Sequence, residues 1–130
     1  MCTEQFLAGE WGEIHFVTGL PCGPLDLLER LKRDSVTDHK DILARLRRLA
    51  DFEPRCHDWF KRLKNAEDIL QLRGGKYRFL LFPHPHKRRV LVLLHCFRKQ
   101  SDRTERREIE TALRLRNKYR EMILRCEGRK

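Results

Sequence analysis

Arg73, Arg78, His95 and Lys99 are the residues of this chain whose types and spacing could do chemistry. They fall near the ends of apolar runs, where a segment that only built core would carry no charge. Cutting an RNA phosphodiester without a metal needs a group that accepts the 2′-hydroxyl proton. It also needs cations that stabilise the charged phosphorane, and an acid that protonates the leaving 5′-oxygen. Arginine and lysine supply cations, and a histidine titrates near neutrality. Arg98, beside Lys99, joins the candidates. Leu93 and Phe97 flank His95 on its own strand face, so a satisfied core histidine is an equal reading of that residue. Other chemistries lack their residues. There is no GxxxxGK[ST] loop and no glycine-rich dinucleotide fingerprint. Carboxylates gather in the amino-terminal helices and at the start of the last helix, which argues against a nuclease built on an acidic metal cluster. His84 and His86, in PHPH, lack a third ligand nearby and are expected as exposed loop residues. No metal and no cofactor is expected.

The candidates sit on a meander from Asp68 to Lys99. Its strands are expected at Asp68–Arg73, Lys76–Phe82 and Val90–Lys99, with Gly74-Gly75 as a tight turn and Pro83–Arg89 as a surface loop. In the second strand Tyr77, Phe79 and Leu81 face one way, and Arg78, Leu80 and Phe82 the other. In the third, His95, Phe97 and Lys99 oppose Leu94, Cys96 and Arg98. Both faces are largely apolar, so cover is expected on both. Trp11–Thr18 reads as an edge strand. Pro24–Arg33 and Thr37–Phe52 read as two helices joined at Asp34-Ser35-Val36, the second with a stripe of Ile42, Leu43, Leu46, Leu49 and Ala50. Pro54 closes the pair. Arg55–Glu67 reads as a short turn or helix anchored by Trp59, Phe60 and Leu63. A last helix starts near Thr104, a candidate cap, and buries Ile109, Ala112, Leu113, Tyr119 and Ile123. The sum is an α+β fold: an amino-terminal strand and a helical hairpin packed on a small antiparallel sheet with a carboxy-terminal helix, in one domain over residues 1–130.

Charge is polarised along the chain. Residues 1–53 carry 7 Lys+Arg against 10 Asp+Glu, and residues 54–130 carry 22 against 9. These nets of −3 and +13 make up the chain's +10. A basic segment of this strength favours a polyanionic partner. Five scattered cysteines without a CxxC pair point to reduced, structural thiols rather than a disulfide framework or a zinc site. No run approaches the roughly 20 apolar residues that cross a bilayer, and no secretory signal is visible, so a cytoplasmic location without membrane contact is expected.

The segments ILQLRGGKYRFLLF, VLVLLHCFRKQSDRT and EIETALRLRNKYREM together resemble the RelE/HigB-type toxins of bacterial toxin–antitoxin pairs, in particular their phage-derived host-inhibitor branch. The matching residues are Leu72-Arg73, Tyr77-Arg78, Leu93-Leu94-His95, Phe97, Lys99, Thr104, Glu108-Ile109-Glu110, Ala112 and Tyr119. They run in order over roughly residues 60–123. Gln71, Cys96, Gln100 and Glu105 depart from the pattern, at places where an acid, a glycine, a second lysine and a proline are usual. The resemblance implies a RelE-like fold and a metal-independent endoribonuclease acting on mRNA on the ribosome. Arg73, Arg78, His95 and Lys99 would be catalytic, and Arg98, Lys76, Arg103 and Tyr119 would contact RNA. It also implies a cognate antitoxin of the helix-turn-helix type, with DNA met only through that partner. Two other readings keep the fold: a non-catalytic inhibitor of a host protein, ParE-like and topoisomerase-directed, and an inactive orphan toxin.

Overall fold

Phe79, Leu80, Leu81 and Phe82 are all fully buried, and the strand that carries them sets the order of the layers. The computed structural model describes residues 2–55, 57–64 and 66–127. Its elements are β1 (Thr3–Ala8), β2 (Glu13–Val17), α1 (Gly23–Asp34), α2 (Val36–Asp51), β3 (Phe60–Leu63), β4 (Ala66–Gly74), β5 (Tyr77–Pro83), β6 (Val90–Arg98) and α3 (Asp102–Glu127). The strands form one sheet in the order β1-β2-β6-β5-β4-β3. Neighbouring residues of β5 face opposite ways. Phe79 and Leu81 pack with Leu31, Ile42 and Leu46 beneath the α1–α2 hairpin. Leu80 and Phe82 pack with Ala112, Tyr119 and Ile123 beneath α3. Burying one such side chain contributes about 1.5–3 kcal/mol, so β5 holds both layers together. Asp68 of β4 adds a polar clasp, pairing with Arg116 at 2.5 Å and Arg120 at 2.6 Å on α3.

The α+β architecture agrees with the expectation, and several elements refine it. The helical hairpin and its stripe fall where the spacing placed them, with Ile42, Leu46, Leu49 and Ala50 buried. The sheet is larger than a meander with one added strand. β1 is a strand that the mixed pattern TEQFLA did not announce, and it takes the sheet edge. β2 is therefore interior rather than an edge, and it runs parallel to β6 through Glu13↔Val90, Ile14↔Leu91 and His15↔Val92. Residues 60–63 form a strand rather than a turn or helix, because their backbone pairs with β4 from Phe60↔Leu72 to Leu63↔Ala66. Phe60 and Leu63 are buried there, as anchors should be. The β4–β5 turn is Gly75-Lys76, since Gly74 still pairs with Tyr77. Gly75 takes φ +59°, which a side chain adopts at a cost. A register shift in β5–β6 pairs Leu80 with His95 and Leu81 with Leu93, leaving Leu94 between them. Leu94 consequently joins the α3-side cluster with Leu80, not the opposite face expected from strict alternation. α3 begins at Asp102. The Thr104 side chain, expected as its cap, lies outside the described residues.

The cysteines do not all remain free thiols. Cys2 and Cys126 are joined by a disulfide with Cα atoms 5.9 Å apart, across a separation of 124 residues. Sequence spacing could not reveal it, because only the packing of β1 and the end of α3 against one core brings the two together. Cys22 and Cys96 are free and half-buried. In the chain-entropy picture a bridge closing so long a loop stabilises by roughly 4–5 kcal/mol. Reduction, or Cys126→Ser, is therefore expected to lower Tm by on the order of 10 °C, read by thermal unfolding with and without dithiothreitol. Identical melting curves would show the bridge to be energetically idle.

Candidate functional site

The ends of β4, β5 and β6 that lie beside the start of α3 bring the candidate cations together. Arg78 is buried at 9% exposure, although guanidinium groups seldom are. It tolerates burial because its Nη1 donates to the carbonyls of Gly75, at 2.9 Å, and Tyr77, at 3.0 Å. The tight β4–β5 turn thus wraps its own arginine. Arg73 pairs directly across from Arg78 on β4 and is exposed. Burial lowers the Arg78 pKa, the neighbouring Arg73 charge lowers it further, and Glu105 opposes both. Two arginines paired across neighbouring strands can offer guanidinium donors to the non-bridging oxygens of a phosphodiester and to the extra charge of its phosphorane. Phe97 pairs with Arg78 on the other side, forming a buried floor.

Carboxylates from the first turns of α3 descend onto this rim. Lys99 Nζ lies 3.3 Å from Glu105 and 3.9 Å from Asp102. His95 Nε2 is hydrogen-bonded to Glu108, and its ring stacks beside Phe97 with centroids 6.3 Å apart. His95 is half-buried, so it is neither a sealed core residue nor a free surface base. Glu105 and Glu108 were not singled out as site residues. Their spacing of three on a helix that starts next to Lys99 was the available signal, since such residues share one face.

The other candidates divide. Arg98 pairs with Tyr77 and lies on the opposite sheet face, where it lines a cavity of about 200 Å³ with Asp26 and Arg30 of α1. It cannot stand in for the missing second lysine on the Arg78 face. Lys76, in the turn, and Arg103, in the first turn of α3, are exposed near the rim. Tyr119 is buried in the α3-side core with Ile123 and Phe82. Burial raises its phenol pKa, as expected of a core tyrosine. His84 corrects the reading of PHPH: it is buried, and its Nδ1 accepts the backbone N–H groups of His86, at 3.1 Å, and Lys87, at 3.0 Å. It shapes the loop. Among the described residues no three His, Cys, Asp or Glu side chains cluster as a metal would require, and no helix is long and apolar enough to cross a membrane.

An α+β layer with a carboxy-terminal helix over a six-stranded sheet, carrying its basic groups at one sheet end, is consistent with a RelE-like fold. The family model described as Phage derived protein Gp49-like (DUF891) matches residues 29–117, about two thirds of the chain, and the chain belongs to that family, which is toxin-like and of the RelE/HigB type. The match contains Arg73, Arg78, His95, Lys99, Glu105 and Glu108. No curated protein matches the chain significantly.

Cys96, where the resemblance has glycine, lies behind this rim on the α1 side, and its Sγ is 4.0 Å from where a Cβ on Gly23 would stand. Burial above all, then the neighbouring Cys22, pushes its thiol up to about 12. The thiol stays protonated in the folded chain at pH values where an unfolded cysteine begins to ionise, so its contribution to stability falls as pH rises above about 9. Iodoacetamide at about pH 8 should leave Cys96 unmodified in the native chain and modify it in urea. Rapid native alkylation, read by peptide mass spectrometry, would contradict this burial.

Proposed function

We propose that the chain, as one domain over residues 1–130, is the toxin of a toxin–antitoxin pair and cleaves mRNA without a metal, on the ribosome, thereby inhibiting translation. One observation carries this reading: Arg78 is buried and fixed by its own turn, with Arg73 beside it and Lys99 and His95 on the same sheet end. Family membership supports the toxin class, and the site chemistry is the finer step. In this reading Arg73 and Arg78 hold the non-bridging oxygens of the scissile phosphate and stabilise its extra charge. Arg78 is the better placed for that, because its hydrogen bonds to Gly75 and Tyr77 leave little reorganisation to be done in the transition state. The His95–Glu108 pair takes the 2′-hydroxyl proton, the carboxylate orienting the imidazole as in other base–orienter pairs. Lys99, released from Glu105 by an incoming phosphate, protonates the 5′-oxygen. Lys76 and Arg103 hold flanking phosphates. An antitoxin segment covering this rim would switch it off, and carboxylates on that segment would compete for the same cations.

A second reading has its own observation. Lys99 and His95 are each already paired with a carboxylate of α3, so no proton-handling group stands ready. That favours a binding inhibitor of a host protein, such as a topoisomerase, in which the basic rim is only an interface.

Expression of the chain alone should arrest growth, and primer extension on cellular mRNA should show new 5′ ends. Arg78→Ala with Lys99→Ala should remove those ends, since losing one preorganised charge-stabilising donor costs on the order of 10²–10³ in rate. Arrest with intact message would discard cleavage and favour the binding inhibitor.

A further inference from the structure

The catalytic reading leaves unused a line of aromatic rings, each capped by a guanidinium, along the side of the molecule that carries α2 and β3. Arg45 lies over Trp59 with its Cζ 5.7 Å from the ring centroid. Arg48 lies over Phe52 at 5.3 Å. Arg89 lies over Trp11 at 5.9 Å. His57 stacks on Trp59 with centroids 5.4 Å apart and planes 11° from parallel. Phe52, at 60% exposure, is the most exposed large apolar side chain among the described residues.

These pairs lie in an order that the backbone fixes. The first begins at the candidate rim, where Arg73 donates its N–H to the Trp59 carbonyl at 2.6 Å and the Arg45 guanidinium donates to the Arg73 carbonyl. α2 then carries the line away from the rim, since its amino-terminal Asp38 lies by Gly75 while its Ala50 carbonyl accepts the N–H groups of Trp11 and Gly12 at 2.9 Å. The far end is held as firmly. A Cβ at Gly12 would stand 2.1 Å from the Arg89 carbonyl, and Arg89 itself has φ +58°, a conformation its side chain disfavours. Two cavities, of about 330 and 420 Å³, share Arg48, Phe52, His57 and Trp59. The first shares Glu53 and Pro54 with a cavity of about 710 Å³, which Trp11 and the Pro83–Arg89 loop line. Eight arginines and lysines line the three cavities together, against two carboxylates, Asp51 and Glu53.

We infer that this line is a binding track for single-stranded nucleic acid, RNA in the proposed reading, running from the Arg73 rim to the Trp11 end. The chemistry matches what an unpaired strand presents: flat bases that stack on rings whatever their sequence, and a phosphate between each pair of bases. An amphipathic protein segment would instead require a continuous apolar stripe, and here the rings are separated by charge. Surface cover alone explains the track poorly, because a ring serving only stability would be buried more deeply than Phe52 is. The track extends the proposed function to how a strand is held, and it does not depend on whether the rim cuts.

Both tryptophans of the chain lie in the track, so intrinsic fluorescence reads it directly. The probe is a 2′-O-methyl oligouridine of about 12 nucleotides, which lacks the attacking hydroxyl and cannot be cleaved by the proposed route. Saturable quenching is expected, with affinity that falls steeply with salt. Arg48→Ala with Phe52→Ala should weaken binding about tenfold or more, and Lys87→Ala with Arg88→Ala should weaken it and flatten the salt dependence. Arg78→Ala with Lys99→Ala removes rim phosphate contacts and should lower affinity, but quenching at saturation should reach the wild-type amplitude, which separates the track from the rim. Wild-type affinity in both track variants would overturn the inference. So would polyglutamate that quenches and competes as well as the oligonucleotide, since the track would then fit an acidic protein segment.

Discussion

Everything in this chain hangs on one strand that has no solvent face. From Phe79 to Phe82 each side chain is fully buried, alternately beneath the helical hairpin and beneath α3. A strand sealed on both faces cannot slip by one residue without exchanging its two hydrophobic sets, so its register is strongly determined. That determination passes to the residue just before the sealed stretch. Arg78 occupies the α3 face by parity, at the point where the apolar cover ends. A guanidinium there is half inside a low-dielectric layer, and only the turn carbonyls of Gly75 and Tyr77 make it acceptable. The same constraint that builds the core therefore aims the charge.

The electrostatics of the rim follow from where α3 starts. A helix amino terminus favours acids, and α3 places Asp102 and Glu105 in its first turn. Because α3 follows β6 after a short link, these acids arrive over the cations at the ends of the strands. Lys99 is thereby paired with Glu105 and Asp102, while His95 is hydrogen-bonded to Glu108 further along the same helix; these contacts are partly exposed, and such pairs are worth little in water. An approaching polyanion can exchange with them at small cost. Arg78 differs, since its partners are carbonyls and it keeps its full charge for whatever lies above it.

The sequence was most legible where period and burial coincide. The hairpin of α1 and α2, the stripe of α3 and the alternation in β5 all follow from apolar spacing that the core then uses. It was least legible where pairing is decided by distant segments. β1 has no apolar run, and it exists as a strand because β2 offers it a backbone edge from Thr3↔Val17 to Ala8↔Glu13. β3 was hidden for the same reason, since Lys61 and Arg62 are exposed and only its pairing with β4 makes it a strand. The bulge at Leu94 reversed a face assignment made by strict alternation, while His95 kept its side only because the extra residue precedes it. Within the candidate site, the cations could be named from the sequence, but Arg98 fell on the wrong face and the Glu105 and Glu108 partners were missed. Strand parity was enough to place a residue on a face once its register was known, and register was the missing quantity.

Charge accounting along the chain shows the same limit from another side. The first 53 residues are net acidic, which makes the amino-terminal part read as the half that avoids polyanions. Folding undoes that division. Arg45 and Arg48 of α2 emerge beside Trp59 and Phe52, and Arg48 shares a cavity with Arg55 from the basic half. Trp11, from the acidic half, meets Arg89 from the basic half across a backbone contact that only Gly12 permits. The polyanion-facing surface is therefore assembled from both halves, and the parallel junction between β2 and β6 is the element that joins them. A net charge summed over sequence predicts that a partner is anionic; where that partner can lie is decided by the pairing of strands far apart in the chain.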